Sequence, residues 1–337
     1  MSRETINDLN NLTLIGYTDK RGHAWHYRAN EQGDESNHYP LAIPVEDVRR
    51  RLFNWTALEG QITANAITED GVVTTTDPAR KAIMRSDTGA ILGVFKSGYR
   101  IHQYDQWLIH NVETLLDASV RIGSAGLLKK GAVAWVQVEM EDTITTPEGV
   151  DFRPFLTAAT SMDGSLASTY QTGAQVVVCD NTLSAAMGEQ GASRVKIKHS
   201  ANSLNRVQEV RDSLGIIHAV ADDFSQAVAE LCQQEVSNNQ WRDFLLKFAP
   251  DDVNASDRSR NMAQGKRDTL QKLWLHDERV SPWANTAYGV VAAVNTYTHH
   301  EQHVRGASRA ERNAERAING GVDALDNGTL QLLATVM

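Results

Sequence analysis

One cysteine in the sequence follows a run of valines, in the segment QVVVCDNTL at residues 175–183. A thiol at the end of a strand can act as a nucleophile when a histidine base and an oxyanion site stand beside it. Nucleophile elbows usually carry glycines next to the nucleophile so that the turn can be sharp, whereas Cys179 lies between Val178 and Asp180. The sequence therefore favours a buried, unreactive cysteine over a cysteine-dependent hydrolase, and DNT then caps a helix that begins near Leu183.

A second candidate for chemistry is the histidine cluster HHEQH at residues 299–303. His299 and His303 are four residues apart and could share one face of a helix, but the order His-Glu-x-x-His of a zinc motif is absent. The histidines are more typical of a solvated helix end, where they interact favourably with the helix dipole. No glycine pattern matches a phosphate-binding loop or a dinucleotide-binding fingerprint. We therefore expect no metal, no cofactor and no catalytic residue.

Basic residues form the most suggestive pattern. Lys96 and Arg100 flank Tyr99 in FKSGYR, and SRVKIKHS alternates basic with apolar residues, so that a strand there places its basic residues on one side. Grooves of lysine and arginine with interleaved aromatic rings hold single-stranded nucleic acids without sequence preference; the alternative is a solvated sheet face. The predicted nucleic-acid-binding residues are Lys96, Tyr99, Arg100, Lys129, Lys130, Arg194, Lys196, Lys198, His199 and Arg206.

The elements that must position these residues change character along the chain. Up to about residue 200, alternating runs such as AVAWVQVEM predict strands. Residues 91–95 and 99–103 predict a hairpin around Lys-Ser-Gly, and Asp70-Gly71 predicts a second hairpin turn. From Leu204 to Leu231, apolar residues recur every three or four positions. This spacing predicts a long amphipathic helix whose seam serves packing or self-association.

The predicted fold class is therefore α+β. An antiparallel β-sheet with packed helices occupies the N-terminal half, and the C-terminal half is helical and begins with the long amphipathic helix. Three segments follow from this organisation: an N-terminal arm with a small α/β segment at residues 1–90, a β-rich core at residues 91–200 and a helical region at residues 201–337.

Bulk composition limits the classes of protein. No run approaches the roughly 18 apolar residues of a membrane span, and the polar N-terminus lacks the apolar region of a secretory signal. Two cysteines are too few for a disulfide framework, which fits a reducing, cytoplasmic setting. The net charge of −9 argues against a chain that binds polyanions over its whole surface, but it leaves room for local basic patches.

Five segments occur in an order that resembles the phage/plasmid-like proteins, a laterally transferred family whose core is domain of unknown function nine-three-two. The segments are FKSGYRIHQ, SMDGS, VVVCDNTL, VKIKHS and AVNTYTHHEQHVRG. The most specific block comprises Val178, Cys179, Asn181, Thr182 and Leu183. The resemblance runs from about residue 90 to the C-terminus and implies a phage or plasmid setting, hence a bacterial host cytoplasm, without a settled activity.

The order of elements is also similar to that of single-strand annealing proteins of the RecT/Redβ class, whose sheet is crossed by a long helix and which assemble around single-stranded DNA. This similarity of architecture implies no shared residues. Together with the basic pattern it leads to the expected function, a phage-type protein that binds single-stranded DNA as a homo-oligomer and anneals it. An interaction protein that binds a host protein is the alternative, and a cysteine-dependent hydrolase is the third hypothesis.

Overall fold

Two antiparallel sheets and a set of helices make up the computed structural model of the chain, and the fold is α+β as the sequence predicts. The sheets lie in the N-terminal half and the helices dominate the C-terminal half. The structure describes residues 7, 10–21, 27–113, 116, 120–176, 181–183, 194–197, 217–303, 312–313, 316 and 321–337.

Among these residues, eight strands form the larger sheet. Along its main path the strands are β1 (Thr13–Ile15), β5 (Val120–Leu128), β6 (Val133–Met140), β8 (Asp151–Ser161), β9 (Ser168–Val176) and β10 (Asn181–Leu183). Two short strands attach beside it, β7 (Ile144–Thr145) on β8 and β11 (Arg194–Ile197) on β9. The central strand β6 is buried on both faces except at Gln137 and Met140, and Glu139 is buried together with its apolar residues.

The smaller sheet has the order β2 (Ala57–Thr68), β3 (Gly71–Arg85) and β4 (Ile91–Lys96). β2 and β3 pair from Ala57–Arg85 to Thr68–Gly71, with a register shift between Gln61 and Ile62 and the turn at Glu69 and Asp70. The turn is therefore one residue earlier than Asp70-Gly71, and Gly71 opens β3 at a φ of +121°, a conformation that a glycine adopts without steric cost.

The helices between and after the strands are α1 (Thr18–Arg21), α2 (Val45–Leu52), α3 (Asn111–Glu113), α4 (Ile217–Gln233), α5 (Asn238–Phe248), α6 (Asp257–His276), α7 (Ala287–Thr296) and α8 (Gly321–Ala334). Two π-helical segments, Asp105–His110 and Tyr297–Glu301, lead into α3 and follow α7. Short 3-10 turns occupy Ala29–Glu31, Lys129–Gly131 and Ser281–Trp283.

Contacts along the chain define two compact units. Unit 1 comprises residues 1–141, 156–171 and 194–216, and unit 2 comprises residues 142–155, 172–193 and 217–337. In unit 1, α2 carries acidic residues in its first turn and arginines in its last, in the sense that the helix dipole favours. Its buried Val48 and Leu52 contribute to the core of that unit. The division into three segments stays a prediction.

The core of unit 2 is built on α7, whose ten residues are all buried. The described part of the amphipathic seam predicted for residues 204–231 lies in the same core, because Phe224 and Val228 of α4 are fully buried and Leu231 is nearly so. The Phe224 ring lies 4.4 Å from that of Phe152. The apolar side chains of this part of α4 therefore pack inside the core of unit 2. Residues 204–216 of the predicted helix lie outside the described residues.

Two local predictions are wrong. Residues 99–103 form no strand, and Tyr99 instead turns back with its amide donating to the Lys96 carbonyl at 3.0 Å. His102 in this segment is buried against Trp107, with the two rings 4.2 Å apart. The helix expected near Leu183 is also absent at that residue, because residues 181–183 form β10, antiparallel to β9. Pairing with a neighbouring strand outweighs the local capping signal of Asn181 and Thr182.

Candidate nucleic-acid interface

Three turns of unit 1 lie side by side and bring together five of the ten predicted binding residues. The first turn ends β4 and contains Lys96 and Tyr99, with Arg100 next in the chain. The second joins β5 to β6 through Lys129 and Lys130. The third follows β8 and is joined to the second by the amide of Met162, which donates to the Ala132 carbonyl at 2.7 Å. We call this region the turn cluster: residues 95–100, 129–132 and 161–165.

An aromatic pair forms the centre of the turn cluster. The rings of Phe95 and Tyr99 are stacked, with centroids 3.9 Å apart and an angle of 14° between their planes. Both side chains are half-buried, and the Tyr99 hydroxyl donates to the Ser161 carbonyl at 3.3 Å. Burial and the nearby charge of Asp163 raise the pKa of Tyr99, so the phenol stays neutral. Gly164 lies against the Phe95 ring, and a Cβ there would stand 3.1 Å from its edge.

Lys129 has an acidic neighbour within the cluster. Its Nζ lies 3.6 Å from Asp163 Oδ2, in a pair that is exposed on the lysine side. Burial by itself would raise the pKa of Asp163, but hydrogen bonds from Ser165 and the charge of Lys129 hold it below the usual value. Asp163 therefore stays ionised and offsets part of the positive charge of Lys129.

The backbone at Lys130 is held by an arginine outside the predicted set. Lys129 and Lys130 both have positive φ, at 52° and 60°, and the Lys130 carbonyl accepts a hydrogen bond from Arg85 Nη1 at 3.0 Å. The Arg85 guanidinium also lies over the Trp55 ring at 4.2 Å and forms two hydrogen bonds with Asp87. Arg85 therefore stabilises the turn that contains Lys129 and Lys130.

Lys96 lies directly opposite another basic residue. In the β3–β4 pair its ladder partner is Arg80, and both residues are exposed. Like charges placed directly opposite each other across two strands are destabilising unless a counter-charge offsets them. Asp77 approaches Arg80 only to 3.9 Å, with both side chains largely exposed. The Lys96–Arg80 pair therefore presents two positive charges to solvent, on the face of the sheet opposite to the Phe95 side chain.

The other predicted residues are described only in part. Arg194 and Lys196 occupy positions opposite Gln171 and Thr169 in the β9–β11 pair, and Val195 stands opposite Tyr170. β11 runs antiparallel to β9 and therefore ends beside Ser168, where the turn after β8 leads into β9. The remaining three predicted residues, Lys198, His199 and Arg206, lie outside the described residues.

The aromatic pair and the opposed charges include two residues that the sequence prediction missed. Phe95 precedes Tyr99 by four positions across a Lys-Ser-Gly turn, and that spacing was the available signal for a stacked pair. Arg80 gave no such signal, because its position opposite Lys96 depends on the register of β3 against β4. That register includes a shift between Ile83 and Met84, which no periodicity in the sequence indicates.

The cysteines offer no reactive thiol among the described residues. Cys179 lies outside them, so its predicted burial stays a prediction. Cys232 in α4 is half-buried, and burial raises the pKa of its thiol to about 11. A thiol with so high a pKa is protonated at neutral pH and is a poor nucleophile.

A histidine–serine pair lies inside unit 1. His102 Nδ1 is 2.7 Å from Ser168 Oγ, which is in turn 2.8 Å from Thr160 Oγ1. All three residues are almost fully buried, and the histidine stacks on Trp107. A serine nucleophile has to reach its substrate, so this closed hydrogen-bond chain is a structural one.

The histidine cluster also differs from the prediction of a solvated helix end. His299 is buried, its Nδ1 donates to the Asn295 carbonyl at 2.9 Å, and burial lowers its pKa to about 4. His303 is exposed. A π-helical segment replaces the regular turn here, which buries His299 and leaves His303 in solvent. Within the described residues, no group of histidine, cysteine and carboxylate side chains is arranged to hold a metal ion.

Comparisons with known proteins identify a family and no activity. The sequence profile of the family described as Domain of unknown function (DUF932) matches residues 91–319, which is more than half of the chain. No curated protein matches the chain. No solved structure matches it either. In the described parts of the chain, none of the helices combines the length and the apolar composition needed to cross a bilayer.

Proposed function

The chain belongs to the DUF932 family, and we propose that it binds single-stranded nucleic acid as a homo-oligomer, with the turn cluster and Arg80 as the binding surface. The single observation that carries the proposal is the pair Lys96–Arg80, whose like charges stand directly opposite each other at exposed positions. A bound phosphate would offset this repulsion, and the aromatic rings would offer a stacking surface to a base.

The local balance of charge supports a polyanion in spite of the acidic total. Lys96, Arg100, Lys129 and Lys130 are exposed, and the charge of the half-buried Asp163 is set against that of Lys129. The net charge of −9 therefore belongs to other parts of the surface. A local patch of this kind attracts phosphates over roughly 10 Å at moderate ionic strength, beyond which salt screens it.

Stacked aromatic residues favour single strands over duplexes. Bases in a duplex are already stacked on each other, whereas an unpaired base can lie against a protein ring, with a contribution of about 1–3 kcal/mol per base. The expected ligand is therefore single-stranded DNA. Annealing of complementary strands, a phage or plasmid setting and the cytoplasm of a bacterial host complete the proposal, and these parts rest on the resemblances described above.

The test is charge reversal of the opposed pair. The double variant Lys96→Glu, Arg80→Glu changes the charge by −4 at exposed positions and is expected to fold normally. A matched control, Arg258→Glu with Lys272→Glu, makes the same change at exposed positions of α6 in unit 2. Fluorescence anisotropy with a labelled oligonucleotide, titrated at several salt concentrations, gives both the affinity and its dependence on salt.

The wild type and the control are expected to bind alike. The Lys96→Glu, Arg80→Glu variant is expected to bind at least tenfold more weakly. Its salt slope should fall by about 1.4, because each phosphate contact on a single strand contributes about 0.7. Equal losses in both variants would show an unspecific charge effect, and equal affinities in all three proteins would remove the turn cluster from the proposal.

The aromatic pair has its own test in Tyr99. Tyr99→Phe keeps the ring that stacks on Phe95 and loses only the hydroxyl that donates to Ser161. Tyr99→Ala removes the ring, and affinity for single strands is expected to fall by about 5- to 150-fold, as the loss of about 1–3 kcal/mol implies. If Tyr99→Ala binds as tightly as Tyr99→Phe, the ring does not contact the bases.

A further inference from the structure

The β2–β3 hairpin continues well beyond the sheet that supports its base. β4 pairs with β3 only from Arg80 to Met84, so the rest of the hairpin is a ribbon of two strands. Seven residue pairs, from Ile62–Asp77 to Thr68–Gly71, form this ribbon, which is about 24 Å long at the usual rise per residue. Every residue from 63 to 76 is exposed. We call residues 62–77 the hairpin arm.

The hairpin arm carries apolar residues that are largely exposed to solvent. Ile67 is 91% exposed, and its ladder partner Val72 is 68% exposed. Val73 on the opposite face is 55% exposed. Cross-strand hydrogen bonds, such as the one from Thr74 Oγ1 to Asn65 Oδ1 at 2.8 Å, hold the ribbon together. A two-stranded ribbon with both faces in water is marginally stable at best, so a partner surface would stabilise it.

A second apolar surface lies at the base of the same sheet. Leu58, Met84 and Ile91 follow one another across β2, β3 and β4, and Val94 stands in the next row opposite Ala82. Leu58, Ile91 and Val94 are each more than half exposed. Met84 lies over Gly60, where a Cβ would meet its sulfur at 2.7 Å. We call these four residues, Leu58, Met84, Ile91 and Val94, the outer apolar face; the opposite face of the sheet buries Ala57 and Ile83.

The composition of the hairpin arm decides the class of its partner. Residues 62–77 contain no lysine or arginine, and their charged members are Glu69, Asp70 and Asp77. A nucleic acid or an anionic membrane surface would be repelled by three carboxylates. Uncharged, β-branched side chains in an extended ribbon suit an apolar protein surface instead. The outer apolar face, which the Arg80–Lys96 pair borders in the next row of the same sheet face, has the complementary chemistry.

Area favours a second copy of this chain over an unrelated protein. One face of a ribbon about 24 Å long offers on the order of 300 Å², so one arm on one partner buries about 600 Å² in total. Specific interfaces bury about 1,200–2,000 Å². Two arms exchanged across a two-fold axis bury about 1,200 Å² and reach that range, because each interaction then occurs twice.

We infer that the hairpin arm of one chain docks on the outer apolar face of a second copy, so that two chains exchange arms in a symmetric dimer. This inference specifies the self-association part of the proposed function and rests on it. It requires no nucleic acid, so its tests are carried out on the free, full-length protein. Sedimentation reports dimerisation and fluorescence anisotropy reports oligonucleotide binding, so failure of one is observed separately from failure of the other.

The first experiment measures the mass of the protein by sedimentation velocity over a range of concentrations. The wild type is expected to dimerise reversibly. Ile67→Asp with Val72→Asp changes the arm, and Ile91→Asp with Val94→Asp changes the outer apolar face; all four residues are more than half exposed. Each double variant is expected to raise the dimer dissociation constant on the order of 100-fold, because its carboxylates would have to be desolvated. Val253→Asp with Met262→Asp, at exposed apolar positions of unit 2, is the matched control and should dimerise like the wild type.

The second experiment tests which surfaces meet. Chains carrying Ile67→Cys are mixed with chains carrying Val94→Cys and oxidised, and a cross-linked heterodimer is expected in the mixture and not in either sample alone. A wild type that stays monomeric at every concentration overturns the inference. So does a dimer that survives both aspartate variants, or an arm variant that dissociates while the outer-face variant does not. Thermal unfolding of each variant excludes loss of the fold as the cause of dissociation.

Discussion

The α4 seam and the hairpin arm both carry large apolar side chains and place them in opposite environments. In α4, the stripe of Phe224, Val228 and Leu231 is buried in the core of unit 2. In the arm, Ile67 and Val72 point into solvent although their β-branched side chains are at least as typical of a protein interior. The comparison teaches that apolar side chains in a sequence indicate a surface that needs a partner. They do not identify whether the partner is in the same chain.

The largest effect on the free energy of unfolding is expected in the buried apolar face of α4. Phe224→Ala removes a fully buried ring that lies 4.4 Å from the Phe152 ring. We expect the free energy of unfolding to fall by about 3–5 kcal/mol, through lost burial and the cavity that remains. Urea unfolding of unit 2, followed by tryptophan fluorescence, measures the change. A loss below about 1 kcal/mol would mean that the α4 seam is not part of this core.

Acid is expected to weaken the same buried region through His299. Burial lowers the pKa of His299 to about 4 from its usual 6.5, so between these values the unfolded chain binds a proton that the folded chain does not. The stability that the neutral histidine confers is complete above pH 6.5 and is lost as the pH falls through 4. At pH 5 the loss relative to pH 8 is about 2 kcal/mol.

Urea unfolding at pH 8 and pH 5 checks this prediction by difference. In His299→Gln the part of the pH dependence that belongs to His299 should disappear, whereas His303→Gln, at an exposed position, should keep the wild-type dependence. If His299→Gln and the wild type lose equal stability between the two pH values, the titration of His299 is not coupled to folding.

Glycine-to-alanine substitutions at two helical positions of unit 2 compare a crowded position with an open one. A Cβ at Gly289 in α7 would collide with the Trp283 backbone carbonyl, and we expect Gly289→Ala to cost about 1–2 kcal/mol. A Cβ at Gly265 in α6 meets no atom within 4 Å. Gly265→Ala should therefore raise stability by about 0.5–1 kcal/mol through helix propensity alone. Thermal unfolding that shifts both variants in the same direction would contradict this prediction.

The smallest effect on the free energy of unfolding is expected in the exposed hairpin arm. Ile67→Ala, at a residue that is 91% exposed, should change the unfolding free energy of the dilute, monomeric protein by less than about 0.5 kcal/mol. Urea unfolding at nanomolar concentration measures it, with Phe224→Ala as the reference for a buried position. A loss approaching that of Phe224→Ala would show that the arm packs against its own chain.

Much of the fold follows from the sequence because its signals are local. Alternation in AVAWVQVEM predicts a strand, and β6 is that strand. Spacing by three and four predicts the helix that includes α4, and the described part of its stripe is buried. The family resemblance was likewise visible in short segments, and the DUF932 match over residues 91–319 confirms that part of it.

Where local propensity and an interaction with distant residues favoured different structures, the sequence alone did not predict which one forms. Asn181 and Thr182 are good helix caps, yet they lie in β10 because they pair with β9. Such pairing cannot be predicted from the local sequence. Residues 99–103 alternate like a strand, but His102 is taken into the core against Trp107 and Ser168. In both cases an interaction with residues distant in sequence outweighs local propensity.

By itself, the sequence determined the α+β class, the principal strands and helices, and five basic or aromatic residues that lie near one another. Only the tertiary structure placed Arg80 opposite Lys96, stacked Phe95 on Tyr99 and left the hairpin arm beyond the edge of its sheet. The physical reason is that side-chain periodicity arises within one element and is read along the chain. Strand register and exposure arise between elements and depend on which surfaces the folded chain brings together.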